Sequence, residues 1–149
     1  MTTVVAHLNI LDRSVEKANI WINDVATELG TTDRHEAYRA LRAFLHVLRD
    51  RLPVAETAQL SAQLPLLVRG VFYENWRPAG TPAHYRDPHE FLERVAREAV
   101  LHGETEASFA VAAVARVLFF HVSAGELDAV GKALPDGIRR LLFPSAPAS

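Results

Sequence analysis

Apolar positions recur along this chain at intervals of three and four residues, and no stretch sustains a period-two alternation. A helix with one buried stripe has that rhythm, so the pattern predicts an all-α protein, a helical bundle. Val15, Ala18, Ile22, Val25, Ala26 and Leu29 mark a first helix that Gly30 stops. The second spans 33–52, with Tyr38, Leu41, Leu45, Leu48 and Leu52 on one face and Asp33 and Glu36 as a capping box. The third segment, 54–73, contains Pro65. Proline clashes with the carbonyl four residues back, so the helix kinks or restarts there. Counted from Leu64 at helical spacing, Leu67, Val68 and Val71 face inward.

A linker rich in Pro and Gly, RPAGTPAHYR (77–86), separates this half from the next. Asp87-Pro88-His89-Glu90 then reads as an N-cap, a proline in the first turn and an acid behind it. A helix over 91–101 ends at His102-Gly103. Residues 107–122 are apolar almost all round, which predicts the central buried helix. Ser123 and Glu126 cap the last long segment, which breaks at Pro135, and the tail 144–149 is expected to be disordered.

Shifting the chain by 70 residues lays its second half on its first. Ten of 38 positions are then identical between 36–73 and 106–143, among them Glu56/Glu126, Leu64/Leu134, Pro65/Pro135 and Arg69/Arg139. The expectation is one domain, 1–149, of two homologous halves, about 15–76 and 87–143, each burying its apolar face against the other.

Composition narrows what such a bundle can do. A chain of 149 residues, 49% hydrophobic and 23% charged, carries one core. A net charge of −2 exerts no overall pull on nucleic acid or anionic membrane. Without cysteine, thiol catalysis, disulfides and Cys-ligated metals are excluded, and a reducing, cytoplasmic setting is expected. The N-terminal residues lack the pattern of a signal peptide. The most apolar run, 109–122, is shorter than a membrane span and carries Arg116, so no membrane association is expected.

The run RLPVAETAQLSAQLPLLVRGVFYENWRP (51–78), with AYRALRAFLHVLRDRL upstream and DPHEFLERVARE downstream, resembles the bacterial family catalogued as domain of unknown function 2267. The resemblance covers roughly 18–143 and implies a small all-helical protein; it carries over no activity. Asn75 stands where that family is expected to have glycine before the tryptophan, and both tolerate positive φ.

Candidate chemistry is sparse. No Glu is followed by a His three residues later, and HExxH is absent, so the helical metal motifs are missing and no metal is expected. The HYRDPHE run gathers His84, Asp87, His89 and Glu90, but its acids are explained as helix caps. There is no G-x-S-x-G elbow and no phosphate-binding glycine loop, and no cofactor is expected.

Two groups of residues remain as candidates. Arg39, Arg42, His46 and Arg49 form a basic stripe on the second helix, read as a solvated face with Arg–Glu pairs or as a contact for an anionic partner. The repeat replaces the stripe by Phe109, Ala112, Arg116 and Phe119, and nucleic acid is not the expected partner. The second group is Arg69, Tyr73, Glu74, Trp76 and Arg77, with His84. It reads as an aromatic lid closing the helix end or as a ligand surface.

Three functions fit. One is a non-catalytic module, regulatory or stress-associated, for a protein or small-molecule partner. Another is a nucleic-acid-associated protein. The third is an enzyme with His84, Tyr73, Glu74 or Arg77 at the seam of the halves. Leftover apolar surface would also allow a homodimer.

Overall fold

The computed structural model describes residues 8–144, and the expected disorder of the tail falls almost wholly outside them. Among the described residues are eight α-helices and no strand: α1 (Asn9–Leu29), α2 (Arg34–Arg51), α3 (Val54–Ser61), α4 (Leu66–Tyr73), α5 (Pro88–Ala99), α6 (Glu104–His121), α7 (Ala124–Ala133) and α8 (Asp136–Leu142). The protein is all-helical.

Local chemistry sets the helix ends. Gly30 adopts φ 69° and closes α1, while the Thr31 amide donates to Ala26 O at 3.0 Å. The Asp33 carboxylate accepts from the His35 and Glu36 amides and opens α2. The reciprocal half of the expected capping box is not made. Glu36 instead accepts from the Thr31 hydroxyl at 3.0 Å, and that hydroxyl accepts from the Asp33 amide. Asp87 accepts from the His89 amide ahead of Pro88, and Ser123 accepts from the Glu126 amide. Pro65 and Pro135 stand at the N-caps of α4 and α8.

Four helices make the core. α1 packs on α2, α2 on α5, α5 on α6 and α6 back on α1, with α2 and α6 also meeting across the ring. Phe44 and Phe91 lie edge to face at 6.3 Å among Leu45, Leu48, Val95, Val114 and Leu118, all fully buried. Burying each such side chain contributes roughly 1.5–3 kcal/mol. The short helices sit outside: α4 on α2 and α1, α8 on α5 and α6, and α3 against α7.

Two expectations are corrected. The most buried helix is α2, with eleven residues buried, against eight in α6. Phe109, Phe119 and Phe120 on α6 are 56%, 51% and 79% exposed. The C-terminal part of α2 is covered by the end of α4 and by the segment after it, which folds back on α2. There Ala83 N donates to Asp50 O at 2.7 Å and Arg51 Nε to Tyr85 O at 2.7 Å. No described segment does this for α6. In α4, Val68 is buried as expected, but Leu67 is exposed and Val71 only half-buried. An eight-residue helix packed on α2 and α1 turns fewer positions inward than its apolar sequence allows.

Candidate functional site

The C-terminal end of α4 is where the two candidate groups meet. The last carbonyls of any helix lack partners within it, and they carry the negative end of the helix dipole. The basic stripe of α2 supplies those partners. His46 Nε2 lies 2.6 Å from Val71 O, and Arg49 Nη1 donates to Phe72 O at 2.8 Å and to Glu74 O at 2.7 Å. His46 and Arg49 are each 3% exposed, so the solvated face expected there is corrected. The other ring nitrogen of His46 faces Glu98 at 2.9 Å. The imidazole is thus held between α4 and α5.

Arg42 Nε donates to Glu74 Oε1 at 2.8 Å. That hydrogen bond, and then the guanidinium charge, hold the Glu74 carboxyl below the usual range, and Arg42 is raised in turn. Arg39, the remaining member of the stripe, is exposed. Of the stripe, His46 and Arg49 are thus buried, while Arg42 makes an Arg–Glu pair at the surface as expected.

The second candidate group divides in the same way. Arg69 donates from Nε to Ser61 O at 2.9 Å and from Nη2 to Leu64 O at 3.0 Å, capping α3. The Tyr73 hydroxyl donates to Ser61 Oγ at 2.7 Å, and Ser61 passes its own hydrogen to Ala58 O. Trp76 lies over the Tyr73 ring at 5.2 Å and is half-buried. Asn75 between them takes φ 63°. Arg69 and Tyr73 thus meet at Ser61 with Trp76 beside Tyr73, Glu74 turns to Arg42, and Arg77 and His84 are exposed and join none of these contacts. Arg139 makes a local pair with Asp136 at 3.0 Å and no carbonyl cap like that of Arg69.

Two clusters had no reading from sequence. Tyr85 lies beneath the Arg94 guanidinium, 4.4 Å from its centroid, with Arg51 at 5.7 Å. Burial pushes its phenol up to about 12. Its signal was an aromatic between arginines distant in sequence, invisible until α2 and α5 pack. Glu56 and Glu126 meet across α3 and α7, with one carboxylate oxygen of each buried. Burial, and then the hydrogen bond and charge of Glu56, push the Glu126 carboxyl up to about 7. Among the described residues no three His, Asp or Glu side chains are grouped to hold a metal, and no helix is long and apolar enough to cross a membrane.

The family model described as an uncharacterized conserved protein (DUF2267) matches residues 18–141. The chain belongs to the DUF2267 family. The matched range takes in all of α2 to α7 and most of α1 and α8 of this DUF2267 protein. No curated protein matches the chain.

Proposed function

We propose that this DUF2267 protein is a non-catalytic binding module of two related helical halves, and that the outer face of α6 is what it offers a protein partner. The relation of the halves is supported by helix boundaries: the starts of α2 and α6, of α3 and α7, and of α4 and α8, and the ends of α1 and α5, are each 70 residues apart. On this reading Pro65 and Pro135 are equivalent breaks built into each half. A cytoplasmic setting is proposed on the cysteine-free composition.

The observation that carries the binding reading is the aromatic surface of α6. Phe109, Phe119 and Phe120 are more than half exposed, at positions where α2 has Arg39, Arg49 and Asp50. Exposed large aromatics are a cost in water and an asset in an interface, whose centre is enriched in such rings. Of the polar residues that looked like a site, His46, Arg49 and Arg69 are meanwhile engaged at the ends of α3 and α4.

The test is cross-linking in cells with the wild-type chain and with the Phe119→Ser, Phe120→Ser double variant. The double variant should keep its melting temperature and lose one specific cross-linked partner. An unchanged cross-link pattern would sink the assignment of this face. Cross-links only between copies of this chain would turn it into a homodimer contact.

A further inference from the structure

The first half of α1 stands out against its counterpart. The helices α1 and α5 end in register, yet α1 has 21 residues and α5 has 12. The additional turns of α1 wall a cleft of about 970 Å³, closed on its other sides by the α3–α4 junction and the end of α6. That volume lies within the range of roughly 300–1,000 Å³ usual for small-molecule sites.

The charge of the cleft has one sign. Residues 10, 13, 14, 17, 20 and 21 share one face of α1, which brings Arg13 and Lys17 to the cleft. The neighbouring acids of α1, Asp12 and Glu16, fall on other faces and do not line it. Arg69 reaches in from α4, and its hydrogen-bond acceptors are carbonyls, which leave its charge uncancelled. The imidazole of His121 pairs with Asp24 at 2.7 Å and stacks at 4.7 Å on the buried ring of Trp21. No Asp or Glu is among the described residues that line the cleft. Ile20 and Leu66 add apolar surface beside Trp21.

We propose that this cleft binds a small amphiphile with an anionic head, carboxylate or phosphate, and an apolar body. The head sits between Arg13, Lys17 and Arg69, on a wall without a lining carboxylate to compete for them. The body lies along the exposed side chains of Ile20 and Leu66. This site is separate from the aromatic face of α6 and does not depend on it.

Isothermal titration calorimetry on the full chain tests it, with octanoate, octyl phosphate and octan-1-ol as probes of one tail and three heads. At least one anion should bind one per chain, and octan-1-ol should bind about tenfold more weakly or less. The Arg13→Gln, Lys17→Gln double variant changes exposed side chains and should melt like wild type while losing about tenfold in affinity for the anion. The Phe119→Ser, Phe120→Ser variant should bind the anion as wild type does, which separates this site from the partner surface. No saturable heat with either anion, equal binding of octan-1-ol, or an unaffected double variant would each overturn the proposal. So would binding to phosphatidylglycerol vesicles without binding of either free anion, which would make this face of α1 a membrane contact.

Discussion

α2 and α6 are both 18 residues long, begin 70 residues apart and face each other across the ring, yet their environments are inverted. The one rich in arginine is the more buried, and the one rich in phenylalanine keeps its rings in water. Composition ranks them the wrong way round. The C-terminal part of α2 is covered by the end of α4 and the backbone that follows it, which bring carbonyls that need donors. Arg49 and His46 are buried because the end of a neighbouring helix needs them. Phe119, which stands 70 residues after Arg49, meets Phe143 edge to face at 5.5 Å and remains half exposed.

The largest effect should come from breaking that inequality directly. Arg49→Ala strands the Phe72 and Glu74 carbonyls at the end of α4, and we expect a loss of about 3 kcal/mol in urea unfolding. Phe119→Ser, 70 residues on, should stay within about 0.5 kcal/mol of wild type. Equal losses at the two positions would show that the caps do not hold α2 and α4 together. Arg49→Lys should recover only part of the loss, since one ammonium cannot reproduce the fork that reaches Asp50, Phe72 and Glu74 together.

A smaller effect separates Tyr73 from Phe143. The Tyr73 hydroxyl ties α4 to Ser61, where the later helix has Gly131 under Phe143 with its Cβ position 3.7 Å from that ring. Tyr73→Phe should cost about 1 kcal/mol in the same urea experiment. The reverse change, Phe143→Tyr, should gain nothing, because Gly131 offers no hydroxyl to receive the new one. A stabilising Phe143→Tyr would mean that a different acceptor lies within reach.

What the sequence made legible was local. The caps at Asp33, Asp87 and Ser123 and the glycine stop at Gly30 depend on neighbours within a few residues, and all four act as their residue types require. The nearness of Arg69, Tyr73 and Trp76 was also legible, since one helix end carries them. The role of the α2 stripe was not. Its partners are Val71, Phe72, Glu74 and Glu98, between 23 and 52 residues away, and periodicity says which face a residue is on without saying what covers that face. The same limit hid the outward turn of Leu67 and the exposure of the phenylalanines on α6. The cleft beside α1 needed three separate elements to form, although the spacing of Arg13 and Lys17 on one face was there to be read.

The smallest effect concerns a place where equivalent residues of the two segments touch. Glu56 and Glu126 are 70 residues apart and meet where α3 packs on α7, so any charge on both is a repulsion between these two helices. Glu126 is raised from 4.5 to about 7 in the folded chain. Between those values the folded protein holds a proton that the unfolded chain has released. Stability is therefore greatest below pH 4.5 as far as this group is concerned, falls as pH rises to about 7, and is level beyond. Solvent reaches part of the carboxyl and screens the repulsion, so the effect on the whole protein is small. Glu126→Gln keeps a hydrogen-bonding group beside Glu56 and removes the charge. Its melting temperature at pH 8 should exceed that of wild type by roughly 1–2 °C, and the difference should vanish near pH 4.5. A variant that melts lower than wild type at pH 8 would mean that the two carboxylates are held apart by water and that the contact between α3 and α7 tolerates both charges. A gain that grows from pH 4.5 to 7 would place this meeting of equivalent side chains among the weak points of the fold.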